Sequence, residues 1–170
     1  MTDFAGTRFV NQLKVREEKV AKAKEIQSQL VVGNAFPDFQ EQDADGQPLS
    51  ISAHRGKVVL VDFWATWCPP CREEVPNVVA VYKKYHDKGF DIVGVSLDQD
   101  KQKMLDFTKQ NGMTWQQYFD GRGWDNKIAG QYGIESIPTM FVLDGTGKII
   151  AKDVRGQELE KAVEKGIGGN

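Results

Sequence analysis

Residues 58–74 read VVLVDFWATWCPPCREE and hold both cysteines of the 170-residue chain, Cys68 and Cys71, with Pro69 and Pro70 between them. The run 57–65 (KVVLVDFWA) is β-branched, aromatic and almost continuously apolar, the pattern of a strand buried on both faces in a central sheet. After the cysteines, REEVPNVVAVYKKYHDK sets Val75, Val78, Val79, Tyr82 and Tyr85 at helical spacing, and Pro76 inside it predicts a kink. The cysteine pair therefore falls where a central strand hands the chain to a helix.

Further along, residues 90–98 (FDIVGVSLD) read as a second buried strand, and residues 100–113 (DKQKMLDFTKQNGM) as a helix ending near Asn111-Gly112. Residues 124–134 (WDNKIAGQYGI) predict a third short helix, stopped at Gly133. Residues 139–153 (TMFVLDGTGKIIAKD) predict a hairpin turning at Asp144-Gly145-Thr146-Gly147, and GQELEKAVEKGI a closing helix. Upstream, Asp45-Gly46 marks a hairpin or turn. Residues 8–30 lack Gly and Pro, and Phe9, Leu13, Val20, Ile26 and Leu30 form a loose apolar stripe among charged neighbours. This is an amphipathic helix, packed on the domain or joined to an upstream region. Gly33 and Pro37 mark a boundary, giving an N-terminal helical extension (1–31) and one domain (32–170). The order of elements predicts an α/β fold whose central mixed sheet turns antiparallel at one edge.

The length suits one domain that buries a core without disulfide staples. Lys and Arg number 22 and Asp and Glu 24, a formal charge of −2, so there is no broad basic field for nucleic acid or anionic lipid. No run of 18 or more apolar residues occurs, and MTDFAGTRFVNQL has neither the basic nor the apolar region of a secretion signal. Direct membrane insertion is not expected, and the compartment stays open between cytoplasm and cell envelope.

At the strand-to-helix junction, a Cys68 thiol meets unpaired backbone N–H groups and the positive end of the helix dipole, which favour thiolate. Cys68 is thus the expected nucleophile. Cys71, one turn later and deeper, lies within disulfide reach and suits the resolving role. The two prolines have no N–H to lose at a helix start and stiffen the loop. Other readings stand beside this one. A structural zinc site wants four ligands, and His54 and His86 are the only histidines, at no ligand-like spacing. A copper site would want a wider cysteine spacing. The peroxidatic pattern Pro-x-x-x-Thr-x-x-Cys is missing before either cysteine. Set between strand and helix in an α/β pattern, Cys-x-x-Cys reads as a thioredoxin-like redox motif.

VDFWATWCPPC resembles the active-site strand and motif of thioredoxin-like proteins. The chain from about residue 32 to 166 resembles the TlpA/ResA-like thiol-disulfide oxidoreductases, through GNAFPDF, GQPLSISAHRGKVVLVDFWATWCPPCREEVPNV, GFDIVGVSLD, YGIESIPT and FVLDGTGKII. The resemblance implies a thioredoxin-like fold, Trp67 beside the nucleophile, and a cis peptide at Ile137-Pro138 facing the disulfide. Ile137 would then offer its backbone to an incoming peptide in strand-like pairing. It also implies that Asp62 is a buried acid moving a proton to or from Cys71. A carboxylate among Val and Phe is expensive unless it has a task. Two departures are visible: residues 90–98 offer no Lys beside the buried acid, and Gln99, flanked by Asp98 and Asp100, stands where several relatives carry an acid. Glu73 and Glu74 read as capping or solvating the helix start. Trp64 reads as core or active-site wall, and Trp115 and Trp124 as packing residues or a substrate groove.

The expected function is thiol-disulfide exchange, reducing protein disulfides through a Cys68-Cys71 dithiol/disulfide cycle with no metal and no cofactor. The implied partners are disulfide-containing proteins and an upstream thiol electron donor, in the periplasm or cell envelope, with the enzyme a monomer. The alternatives are a thioredoxin-fold binding module without redox turnover and a thiol-dependent peroxidase.

Overall fold

The computed structural model describes residues 4–169, so residues 1–3 and Asn170, the ends of the two expected segments, lie outside the described residues. Strand β3 (Val58–Trp64) is buried at all seven positions. It pairs in parallel with β4 (Phe90–Ser96) and antiparallel with β6 (Thr139–Leu143). The sheet is completed by β5 (Gln116–Phe119) beside β4 and by β7 (Ile149–Lys152) beside β6, in the order β5-β4-β3-β6-β7. A separate hairpin, β1 (Gln40–Gln42) and β2 (Pro48–Ser50), turns through Asp45-Gly46. The helices are α1 (Phe4–Gln29), α2 (Pro69–Tyr85), α3 (Lys101–Gln110), α4 (Lys127–Gln131) and α5 (Gln157–Gly168).

Side chains alternate across a strand, so Val58, Leu60, Asp62 and Trp64 share one face of β3. On that face Trp64 meets Phe107 of α3 at 5.6 Å between rings, and Tyr82 of α2 meets Phe90 at 6.5 Å. Helix α5 packs close to the strand: a Cβ on Gly166 would lie 2.9 Å from a Val58 methyl, so any larger residue there would push that side chain aside. The other face holds an aromatic cluster, with Phe63 against Tyr132 and Phe141, and Phe36 against the same two rings. Apolar burial on both sides of β3 is the main favourable term in this arrangement.

Two features add to the sequence reading. The sheet has a strand, β5, that the sequence pattern did not announce, because its residues are Gln-Gln-Tyr-Phe and the expected apolar run is missing. Its buried Gln117 is anchored across the sheet: Gln117 Oε1 accepts from the Trp64 indole N–H at 2.8 Å. The apolar stripe of α1 is also only partly used. Leu30 is buried and Ile26 half-buried, but every residue from Arg8 to Lys22 is exposed, Phe9, Leu13 and Val20 included.

The C-terminal turns of α1 dock on the end of α4 by backbone approach. Gly133 has φ +65°, and a Cβ there would stand 2.9 Å from the Ala23 carbonyl oxygen. Gly133→Ala should therefore cost about 1–2 kcal/mol from its left-handed backbone alone, before any displacement of α1. Urea denaturation measures the loss, and unchanged stability would contradict it; amide exchange at Ala23 and Gln27 should quicken as well, and unchanged exchange would show that α1 does not dock here.

Candidate active site

Helix α2 begins on sulfur. Cys68 is its N-cap residue, with extended backbone (φ −96°, ψ 108°), and its Sγ accepts from the Cys71 N–H at 3.3 Å. This is the position where Ser, Thr or Asp oxygen usually satisfies a free helix N–H. Pro69 and Pro70 occupy the first helical turn, where a missing N–H costs nothing. Cys68 and Cys71 are joined in a disulfide with Cα atoms 5.2 Å apart, inside the range a disulfide spans. The two cysteines are 4% and 3% exposed, so depth does not separate them as expected. What separates them is the helix end, which only Cys68 caps.

The segment ahead of Cys68 is tied to β4 by a carboxylate. Asp98 is buried and accepts from Thr66 N at 3.1 Å, from Thr66 Oγ1 at 2.6 Å and from Ser96 Oγ at 2.7 Å. It fixes the chain two residues before the nucleophile position. Of the three neighbours considered from sequence, Asp100 caps α3 through Lys103 N and Gln99 is exposed, whereas Asp98 bonds the segment that leads into Cys68. The signal was a carboxylate closing an apolar strand, as Asp62 interrupts one.

The expected companions converge. The Ile137-Pro138 peptide is cis, and Ile137 O lies 3.7 Å from Cys68 Sγ. Trp67, adjacent in sequence, is 49% exposed, and its ring is 6.2 Å from that of Trp124, itself 50% exposed. Trp124 also lines a cleft of about 620 Å³ between α1 and α4, with Lys19, Ile26 and Arg122. Trp115, by contrast, is core, packed on Tyr82 at 5.0 Å, and Trp64 is core as well.

Asp62 lies on the α2-covered face of β3 and is buried, with Oδ1 lacking a hydrogen-bond partner among the described residues. Burial pushes its carboxyl from the ordinary 3.8 up to about 7, and the Glu74 charge adds to the shift. Glu74 does not simply cap its own helix. Its Oε1 accepts from Gly156 N at 2.8 Å and from Asn77 Nδ2 at 2.7 Å, clasping the start of α5. Gly156, the N-cap of that helix, has no side chain to offer its first turn, and the carboxylate of Glu74 instead takes the N–H of Gly156 itself.

The comparisons agree with this geometry. Among solved structures, the thioredoxin domain of a thiol-disulfide oxidoreductase from Bacteroides vulgatus superposes with TM-score 0.73 at 33% identity, covering 81% of this chain and 99% of that one. A thiol:disulfide interchange protein from a Bacteroides species gives TM-score 0.71 at 33% identity, covering 83% and 93%. The fold and the disulfide at its strand-to-helix junction thus define a thioredoxin-like thiol-disulfide oxidoreductase. The chain belongs to the Redoxin family, which it matches over residues 31–167. It is 30% identical over 139 residues to the thiol-disulfide oxidoreductase ResA of Bacillus thuringiensis subsp. konkukian, covering 82% of this chain and 78% of that one. With ResA of Bacillus subtilis it shares 30% over 131 residues, covering 77% and 71%.

The raised Asp62 carboxyl has a consequence for stability. As pH rises from about 4 to about 7, the unfolded chain releases this proton while the folded protein keeps it, so stability is lost across that window. With the shift from 3.8 to about 7, the loss is on the order of 4 kcal/mol. Asp62→Asn removes the linkage: its stability relative to wild type should rise by that order between pH 4 and pH 8. Urea denaturation at the two pH values checks this, and a pH-independent difference would contradict the assignment.

Proposed function

We propose that the protein reduces disulfides of other proteins by cycling Cys68 and Cys71 between dithiol and disulfide. The observation that carries this reading is the Cys71 N–H donating to Cys68 Sγ at the head of α2. A helix N-terminus and a fixed N–H favour the thiolate at Cys68 once the pair is reduced. The Cys68 thiolate attacks one sulfur of a substrate disulfide, forming a mixed disulfide and expelling the other substrate sulfur as thiolate. Cys71 then gives up its proton and attacks Cys68 Sγ. The Cys68-Cys71 bond forms, and the second substrate thiolate leaves and is protonated. A carboxyl titrating near 7 suits Asp62 to accept the Cys71 proton at neutral pH. An upstream dithiol donor supplies the two electrons that restore the pair.

Ile137 and Pro138 form the backbone edge on which an extended substrate segment aligns, a reading supported by the 3.7 Å approach of Ile137 O to Cys68 Sγ. Exposed Trp67 and Trp124 offer it apolar area on the other side. The spacer Pro69-Pro70 lacks the His often found between the cysteines of oxidising or isomerising relatives, which supports reduction as the direction. Kinship with ResA supports work in the periplasm or cell envelope, and we take the enzyme to act as a monomer. No helix among the described residues is long and apolar enough to cross a membrane. The division into a helical extension over 1–31 and a thioredoxin-like domain over 32–170 is supported by the family match, which begins at residue 31.

Cys71→Ser leaves the first attack intact and removes the second. Reduced Cys71→Ser protein mixed with insulin should accumulate a covalent complex that dithiothreitol releases, whereas Cys68→Ser should form none. Absence of the complex with Cys71→Ser would favour a binding module without redox turnover.

A further inference from the structure

Strands β3, β4 and β5 set Asp62, Gly94 and Gln117 in one line across the sheet: Asp62 pairs with Gly94, and Gly94 with Gln117. In-register residues point to the same face, here the face covered by α2. Gly94 contributes no side chain, and the Gln117 amide occupies the space: a Cβ on Gly94 would lie 2.6 Å from Gln117 Nε2 and closer still to its Oε1. The amide therefore leans over Gly94 toward β3. Gly94 is the residue that separates Gln117 from Asp62 across the sheet, and neighbouring strands are about 5 Å apart, so the amide covers the gap between them.

The orientation of the amide follows from its anchor. Trp64 Nε1 can only donate, and it donates to Gln117 Oε1 at 2.8 Å. The NH2 group is left for another acceptor. Three buried side-chain polar atoms lack a partner among the described residues, and two of them are Gln117 Nε2 and Asp62 Oδ1. One is a donor and the other an acceptor, held on either side of a glycine. Such groups are satisfied in native proteins, by ordered water where no direct bond forms.

We propose that Gln117 is a positioning residue for Asp62: its Nε2, anchored through Oε1 by Trp64, donates through one buried water to Asp62 Oδ1. The link fixes the carboxyl orientation in which Asp62 exchanges a proton, and this consequence rests on the reading of Asp62 as proton carrier for Cys71. A donor directed at the carboxylate favours its ionised form. It works against burial and the Glu74 charge, which act the other way. Across the sheet Asp62 faces only uncharged residues, Gly94 and Met140 beside it and Gln117 beyond Gly94, and the charge that acts on it is that of Glu74 on α2.

The test is the titration of Asp62 by carboxyl carbon NMR in the oxidised protein, where the cysteines do not titrate and Asp62→Asn assigns the signal. Gln117→Met, close in volume but without the donor, should raise the Asp62 midpoint by about one pH unit. Gly94→Ala, which drives the amide off the line from the neighbouring strand, should shift it the same way. In wild type, the Gln117 side-chain amide protons should show a cross-peak to a long-lived water, a measurement independent of either variant. A midpoint unmoved by Gln117→Met, or a side-chain amide without bound water, overturns the link. The pH profile for closure of the mixed disulfide separates the two readings. A profile that follows the midpoint supports both, whereas a midpoint that moves without it retains the link and removes Asp62 as proton carrier.

Discussion

The sulfur of Cys68 stands in for the oxygen of an ordinary helix cap, taking the Cys71 N–H at the first turn of α2, and the surrounding structure keeps it there. Strand β3 brings the chain to that point and is buried along its whole length, so its end has little freedom. Asp98 holds Thr66 two residues before the sulfur, and the Ile137 carbonyl closes the opposite side. A thiolate formed at Cys68 would meet that N–H and the positive end of the helix dipole.

Beneath this polar junction lies an electrostatic balance inside an apolar sheet. Burial and the Glu74 charge resist ionisation of Asp62, and Glu74 is itself held in place by the start of α5. The carboxyl is thereby brought near neutrality, where a group can both accept and return a proton. The same placement costs stability above the pH at which a free carboxyl ionises. The absence of a side chain at Gly94 is part of this arrangement, since it admits the Gln117 amide to a position a larger residue would fill.

Much of the site was legible because its residues break local rules in plain view. A carboxylate in an apolar strand, two cysteines at a strand end and prolines at a helix start each need an explanation, and resemblance supplied Pro138 and Trp67. The central strands and the hairpins were legible through apolar runs and Asp-Gly turns. β5 was not, because its buried face carries Gln117, whose partner Trp64 lies 53 residues away in sequence. The tasks of Asp98 and Glu74 were hidden for the same reason: their partners, Thr66 and Gly156, come from other elements. Helix α1 shows the converse limit. Its apolar stripe predicts a buried face, yet only its last turns find the domain.

The central claim is that Cys68 and Cys71 form a reversible redox couple at the head of α2, and equilibrium titration against glutathione buffers tests it most directly. Tryptophan fluorescence reports the state, because Trp67 adjoins Cys68. A single reversible two-electron transition with a midpoint at or below roughly −250 mV is predicted for a reductant of protein disulfides. A pair that fails to cycle reversibly across the accessible range would contradict the claim.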